Sequence, residues 1–388
     1  MTMTSNVTDL APRAVREGLA ERAARLATDF GSRAAGHDAE GSFVAENYAL
    51  MKEEGLNEAG VPAELGGGGA SVAELADMLR RLAHGCGSTA LAFAMHTHQV
   101  AIPAWRWQNQ PATRPVLEPL LRRIAAERII LMSSGGSDWV GGSGQAQKVD
   151  GGYRIHARKP FASGTPVGTI LMTTAIADEE SGPTVLHFGA PLAAEGMRVE
   201  DVWDALGMRG TGSQDIVLDG LFVPDDRVAL KRKAGEWHPL FHIIGTIAIP
   251  LIYAVYTGLA EAARDRALAV ETARPAGQRN LRLLGEMETR LHAARLAHRA
   301  MVDVAMAGKP SAESIDEVMK GRVLVEENAL ATAGLALNLV GGRGFLRTTG
   351  IERIFRDIQG ARFHPMRADR QQLYAGALAA GEDVSRIY

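Results

Sequence analysis

With 388 residues, the chain is long enough to bury a large core and is expected to form more than one domain. Hydrophobic residues make up 46% of it and charged residues 22%, which is ordinary for a globular protein. The net charge of −3 gives no reason to expect nucleic acid or an anionic membrane as a partner, and the single Cys86 excludes both an intramolecular disulfide and a cysteine metal cluster.

The N-terminal sequence MTMTSNVTDLAPR lacks the basic start and the apolar stretch of a signal peptide. No apolar run looks long enough to cross a bilayer. We therefore expect a cytoplasmic protein without a membrane segment.

Residues 1–125 are predicted to form a helical domain, because apolar residues recur there at helical spacing. The proline and four glycines of VPAELGGGG interrupt the helices and predict a loop. The predicted helices lie at 14–30, 43–54, 71–84 and 88–102.

Residues 126–232 are predicted to form a β domain. Short β-prone runs, separated by Gly, Ser, Asp and Pro, are typical of an antiparallel barrel or sandwich. These runs lie at 129–133, 153–156, 170–175, 184–188 and 216–218.

Residues 233–388 are predicted to be helical again. A helix at 323–340 is apolar on more than one face, so it could serve both its own bundle and a subunit interface. The glycine-rich sequence GGRGF at 341–345 then breaks the helix, and its backbone amides could approach a phosphate. A charged helix containing Arg356 and Asp357 follows.

Two of these stretches resemble the acyl-CoA dehydrogenase superfamily of flavoproteins. Residues 335–374 resemble its C-terminal signature, and VPAELGGGG is similar to its Val-Pro-Glu-x-x-Gly-Gly element. The resemblance implies an α+β fold with an N-terminal helical bundle, a middle antiparallel β barrel or sandwich and a C-terminal four-helix bundle. It also implies FAD, with FMN as the alternative, bound between the subunits of a homo-oligomer, which we expect to be a tetramer.

The family's catalytic base is missing. In the family, the glutamate of a Tyr-Glu-Gly-Thr motif removes the α-proton of the substrate. Alignment from Asp357 places that position at Pro365, and the alternative base position of the family, at 246–249, also lacks an acid. His364 is therefore the candidate catalytic group, since an imidazole can donate a hydrogen bond or shuttle a proton near neutral pH.

Two clusters match family segments that contact the flavin ring. Ser133, Ser134 and Ser137 lie where the family has small and hydroxyl residues before and within a Gly-Ser-Asp sequence. Phe161 takes the place of a tryptophan beside the ring, and Ser163 that of a threonine. A polar turn and a core phenylalanine are the ordinary structural alternatives.

Further candidates concern the flavin phosphates. Arg209 lies in a Leu-Gly-x-Arg sequence of the family, and Arg274 matches an arginine that binds the FAD of a neighbouring subunit. Asn338, Gly341 and Gly342 belong to the turn that the resemblance places against the same cofactor. Either arginine could instead be an ordinary surface residue.

His96 and His98 point to nearly opposite faces of a helix, so they form no metal pair and at most one faces the cleft. Together with Ser163 and His364, they resemble the His and Ser donors of a flavin-dependent monooxygenase branch. Our first hypothesis is therefore an oxygen-using monooxygenase or oxidase that acts on a small aromatic, amine or sulfur compound, with a flavin reductase as a possible partner. The alternatives are an acyl-CoA dehydrogenase with a histidine or displaced base, and a non-catalytic flavin- or acyl-CoA-binding protein.

Overall fold

The structure is a computed structural model that describes residues 17–134, 136 and 138–388. Its N-terminal part is helical, as predicted. The first helix extends ten residues beyond its expected end, to Glu40, and the left-handed backbone of Gly41 terminates it. The helices are α1 (Leu19–Glu40), α2 (Ala45–Glu53), α3 (Val72–Gly85), α4 (Gly87–Asn109) and α5 (Arg114–Glu127).

The VPAELGGGG segment is a loop, as predicted, and it leads into α3. A side chain at Gly67 would place its Cβ 2.3 Å from the carbonyl oxygen of Val61, so the loop can fold back on itself only with glycine there. Ser71 and Glu74 then form a capping box, which satisfies the first free amides of α3.

The middle part is a single sheet. Within the described residues its strand order is β6-β7-β3-β2-β4-β5-β8, with β1 beside β4. Most pairs are antiparallel, as expected, but β4 runs parallel to both β1 and β2. No hairpin turn joins β4 to either strand, so nothing local forces antiparallel pairing. The strands are β1 (Leu131–Ser133), β2 (Gln145–Val149), β3 (Gly152–Ala162), β4 (Ile170–Glu179), β5 (Gly182–Pro191), β6 (Met197–Glu200), β7 (Gln214–Pro224) and β8 (Val228–Lys233).

The C-terminal part is a helical bundle organised around its first helix. That helix packs against three later helices and also against α3 and α4, so one apolar core runs through both helical parts of the chain. The order helices, sheet, helices confirms the predicted fold class. The C-terminal helices are α6 (Pro239–Thr272), α7 (Leu281–Ala307), α8 (Ala312–Val340), α9 (Ile351–Ile358) and α10 (Ala368–Ala380).

Two of these segments are long and apolar enough to span a bilayer, so the expectation that none would be was wrong on length and composition. The first is α6, and its most apolar window is 94% buried inside the protein. The second covers Ala312–Phe345, and its window is 56% buried. Because the apolar side chains of α6 pack against the helices around it, its composition is that of a core helix.

Candidate active site

The first group of polar side chains lies at the end of β1. Ser133 and Ser134 are half-buried there, and Ser134 Oγ lies 2.7 Å from Thr173 Oγ1 on the neighbouring β4. Parallel pairing of β1 with β4 is what brings these hydroxyls together. Ser137 falls outside the described residues.

The second group lies at the end of β3, next to the first. Met132 of β1 and Ala162 of β3 belong to one small buried cluster, which holds the two strand ends together. Phe161 has a positive φ of 59° and leaves 67% of its surface exposed. Ser163 Oγ lies 2.7 Å from Ser213 Oγ. This end of the sheet therefore presents an open aromatic ring bordered by hydroxyl groups.

His96 is held entirely by backbone groups. Its Nε2 lies 2.8 Å from the carbonyl oxygen of Asn57, and the amide of Leu131 donates to its Nδ1 at 3.0 Å. Nε2 must therefore carry the proton, and burial lowers the pKa of His96 to about 4. One ring nitrogen ties α4 to β1 and the other ties it to the segment after α2, so the catalytic role expected for His96 finds no support.

His98 is the member of the pair that faces the strand ends. Its Nε2 lies 3.4 Å from Ser133 Oγ, and its buried Nδ1 has no hydrogen-bond partner among the described residues. Burial, followed by the nearby His96, lowers the pKa of His98 to about 4. A neutral imidazole with one free nitrogen thus lies beside the hydroxyl of Ser133.

His364 follows a short helical turn and forms hydrogen bonds with residues of α6 and α8. Its backbone is extended (φ −72°, ψ 145°), as a residue before proline prefers. Tyr256 Oη lies 2.6 Å from its Nε2. Arg322 Nη2 donates to the carbonyl oxygens of His364 at 2.8 Å and Ala361 at 3.0 Å. Tyr253 donates to the carbonyl of Ala361 as well, at 2.6 Å.

His364 is uncharged at physiological pH. Burial, then Arg322, then His98 lower its pKa to about 3. The expectation that it shuttles a proton near neutral pH is therefore not supported, because a group that titrates so low is a poor base at pH 7. Its remaining chemistry is hydrogen bonding.

Two buried carboxylates on helices near His364 are already engaged. Glu326 pairs with Arg322 one turn earlier on α8. Asp357 accepts a hydrogen bond from the amide of Met208 at 2.5 Å, and burial raises its pKa to about 6. Neither is placed as a free general base.

Arg209, which was predicted to meet a flavin phosphate, contacts other parts of the chain. Its Nε donates to the carbonyl of Asp38 at 2.8 Å and its Nη1 pairs with Asp204 at 2.9 Å. The guanidinium thereby joins the loop before β7 to the end of α1, through its Nε and Nη1 atoms.

Arg274 and the glycine turn lie together. Arg274 pairs with Glu271 at 2.8 Å, and its Nη2 reaches the carbonyl of Val340 at 3.4 Å. Gly341 follows with φ +68° and ψ −148°, which only glycine adopts readily, and added side chains at Gly341 or Gly342 would meet no atom within 4 Å. The turn is thus open on its outer face.

This turn is far from His364 within one chain. Asn338 is exposed, and its carbonyl accepts the amide of Gly341. Arg322, beneath His364, precedes Val340 by eighteen residues of α8, which is about 27 Å along the helix axis. The two sets of candidate residues therefore serve different places on the surface of one subunit.

A flavin fits the first place. The exposed Phe161 ring offers a face to an aromatic system, and Ser133 and Ser163 offer hydroxyl donors to ring oxygens and nitrogens. The unpaired Nδ1 of His98 and the imidazole of His364 supply further polar contacts. An exposed aromatic face together with uncharged polar groups suits a flavin, which would supply the redox chemistry.

Sequence reasoning missed the support beneath His364. Tyr253 and Tyr256 looked like core residues of an apolar helix, and they are fully buried. Arg322 and Glu326 carried a usable signal, because charged residues four apart inside an apolar helix must pair when they are buried.

Family models and relatives agree with this architecture. The acyl-CoA dehydrogenase N-terminal domain matches residues 14–123, and the acyl-CoA dehydrogenase C-terminal domain matches residues 250–364. Amino sugar nitrososynthase DnmZ of Streptomyces peucetius is 30% identical over 350 residues, covering 85% of this chain and 84% of that protein. The chain belongs to the acyl-CoA dehydrogenase superfamily, and it is a flavin-dependent oxidoreductase.

Solved structures give the same picture. KijD3 in complex with FMN and dTDP-3-amino-2,3,6-trideoxy-4-keto-3-methyl-D-glucose is 28% identical, with a TM-score of 0.86 over 94% of this chain and 93% of that one. A nitrososynthase from Micromonospora carbonacea var. africana is 26% identical, with a TM-score of 0.84 over 95% and 98%.

Proposed function

We propose that this oxidoreductase is a flavin-dependent monooxygenase that transfers one oxygen atom of O2 to the amine nitrogen of a small substrate. The observation that carries the proposal is the uncharged state of the two histidines, His98 and His364, whose pKa values burial lowers to about 4 and about 3. His364, with a pKa of about 3, stands beside Pro365, the position of the family's glutamate. Dehydrogenation of an acyl-CoA requires a base there, whereas oxygen transfer requires hydrogen-bond donors.

The substrate class follows from the relatives. The similar proteins from Streptomyces peucetius and Streptomyces rubradiris are amino sugar nitrososynthases, 30% and 31% identical to this chain. KijD3 was solved with a dTDP-linked amino sugar. We therefore propose an amino sugar nucleotide as the favoured substrate class of this chain.

The reaction balances with a separate source of reduced flavin. A bound reduced flavin would supply the two electrons and two protons with which an amine R–NH2 and O2 give the hydroxylamine R–NHOH and water. His98 and His364 would orient and stabilise the reacting oxygen by hydrogen bonds, while the buried helices exclude bulk water. A flavin reductase is the partner that this cycle needs, and the cytoplasm, where reduced nicotinamide is available, is the proposed location.

The proposed cofactor is FMN, although the family resemblance alone favoured FAD. KijD3 binds FMN and shares the fold over nearly the whole chain. We propose that Arg274 and the turn at Gly341 and Gly342 meet the flavin phosphate of a second copy, since the outer face of the turn is open. Mass analysis of the cofactor released from purified protein distinguishes FMN from FAD.

The proposed assembly is a homotetramer. Large hydrophobic side chains are exposed on α8, α9, α10 and the turns between them, which contact one another in the C-terminal part. Such a surface is typical of an obligate interface. Light scattering measures the assembly, and a monomer with flavin fully bound would contradict both the proposed tetramer and the cofactor contact from a second copy. The exposed residues are Leu324, Phe345, Leu346, Phe355, Phe363 and Leu373.

The proposed function is tested with 18O2. Protein, FMN, a flavin reductase, NADH and a dTDP-linked 3-amino sugar are mixed, and the product should gain oxygen from O2 by mass spectrometry. A panel of acyl-CoA esters, mixed anaerobically with the oxidised flavoprotein, should leave the flavin spectrum unchanged. Bleaching by an acyl-CoA would overturn the proposal in favour of a dehydrogenase, and the absence of both responses would favour a non-catalytic flavin-binding protein.

A further inference from the structure

We infer that Tyr256 is a positioning residue that holds His364 as the tautomer protonated on Nδ1, so that His364 enters the site as a hydrogen-bond donor. The catalytic consequence rests on the proposed function. The tautomer itself is a property of this chain and can be measured without any substrate.

The hydrogen bond between the two side chains fixes the proton by elimination. Tyr256 Oη and His364 Nε2 are 2.6 Å apart, and Tyr256 is fully buried. Tyr256 Oη has no other hydrogen-bond partner among the described residues. If Nε2–H donated to the phenol, the phenolic proton would remain buried without an acceptor, which folded proteins avoid. The phenol therefore donates, and Nε2 offers its lone pair.

Both side chains are neutral, so the single imidazole proton must lie on the ring nitrogen that does not accept the hydrogen bond. Burial raises the pKa of Tyr256 well above its ordinary value, which keeps the phenol protonated. Burial, then the guanidinium of Arg322, then His98 keep His364 deprotonated at neutral pH. A neutral imidazole that accepts at Nε2 carries its proton on Nδ1.

The packing around the pair leaves little freedom for another arrangement. A Cβ on Gly360 would lie 2.8 Å from Tyr256 Oη, so the phenol fits only because this residue is glycine. The Tyr253 ring packs against that of Tyr256 with centroids 5.5 Å apart. Arg322 holds the carbonyl of His364 at 2.8 Å, which fixes the backbone from which the ring projects. The Tyr256 phenol and the His364 backbone are therefore each fixed in position by contacts of their own.

The other ring nitrogen is available to a ligand. His364 is half-buried, and its Nδ1 has no hydrogen-bond partner among the described residues. Unlike the unpaired Nδ1 of His98, this nitrogen is not fully buried. The Nδ1–H group is therefore not fully enclosed by the protein, and it can donate to oxygen on a cofactor or a substrate.

The tautomer is tested directly by 15N NMR of histidine-labelled protein, with the His364 signals assigned by their loss in His364→Gln. We expect a protonated Nδ1 and an unprotonated Nε2 in the wild type, and a mixture of both tautomers in Tyr256→Phe. A neutron structure gives the same answer by placing the proton. A proton on Nε2 in the wild type would overturn the inference, whatever the enzyme does.

A pair of matched variants tests which nitrogen works. The amide nitrogen of Asn can occupy the place of Nδ1, and that of Gln the place of Nε2. His364→Asn should therefore retain about tenfold more turnover than His364→Gln, the value of roughly one hydrogen bond. Tyr256→Phe should lower kcat by about the same factor and leave KM unchanged.

The control is His292→Ala, a change of an exposed histidine on α7, which should behave as wild type. If Gln outperforms Asn, Nε2 is the working atom and Tyr256 is not its positioning residue. If no variant or wild type oxygenates any amine while NMR places the proton on Nδ1, the positioning role stands and the proposed function falls.

Discussion

Replacing Arg322 with Ala tests the buried support beneath His364. The Arg322 side chain is fully buried, it pairs with Glu326, and it donates to the carbonyl oxygens of Ala361 and His364. Removing it leaves Glu326 as an uncompensated charge in the core and two carbonyl oxygens without this donor. Breaking one side of a buried pair costs about 3–5 kcal/mol, and we expect the free energy of unfolding to fall by that amount.

The assay separates stability from function. Urea unfolding followed by circular dichroism, at one protein concentration, gives the change in the free energy of unfolding. Arg322→Met combined with Glu326→Met removes both charges, and buried pairs replaced in this way often lose no stability. The double variant should therefore recover most of the stability. Its turnover should stay low, because the carbonyl of His364 still lacks the donor that fixes its position.

Two results would refute this reasoning. A loss below about 1 kcal/mol in Arg322→Ala would mean that the pair is not buried in solution as it is in the structure. Wild-type turnover in the stable double variant would mean that the guanidinium does not position His364.

Three further predictions concern the other candidate residues. Because the pKa of His96 is lowered to about 4, the unfolded state binds more protons than the folded state between about pH 6.5 and 4. The free energy of unfolding should therefore fall as the pH drops through this window. In His96→Gln that fall should be smaller by about 3 kcal/mol, measured by urea unfolding at each pH. An unchanged pH dependence would show that His96 is not buried neutral. Phe161→Gly should relieve the positive φ of 59° and leave the fold as stable or more so, while flavin affinity falls in a fluorescence titration; equal affinity would remove Phe161 from the flavin site. Arg274→Ala should weaken flavin binding by about one to two powers of ten, the value of a charged phosphate contact of roughly 1.5–3 kcal/mol, and no change would make Arg274 a surface residue.

The fold was predictable to the level of its three parts. Periodic apolar residues mark α3 and α4, and the glycines of VPAELGGGG mark the loop before them, because helix faces and tight turns impose local requirements on residue type. The parallel pairing of β1 with β4 was not predictable, since it joins strands from distant parts of the chain. A shared core between the two helical parts was missed for the same reason.

The site shows the same division. Helix geometry predicted that at most one of His96 and His98 faces the cleft, but the choice of His98 depends on Leu131, whose amide occupies a nitrogen of His96. Arg209 has the sequence context of a phosphate ligand, yet its Nε donates to the carbonyl of Asp38, 171 residues away. Side chains with several possible partners cannot be assigned until the fold supplies the neighbours.

By itself, the sequence determined the order of helices and strands and the glycine break at 341–345, and it predicted that His364 and Pro365 lie where the family has its base. Only the tertiary structure decided the chemical state of that histidine. Tyr256, 108 residues away, forms a hydrogen bond with one of its ring nitrogens. Burial, then the nearby Arg322, keeps the imidazole neutral. Proton positions depend on desolvation and on the nearest partners, and both arise only when distant segments pack together.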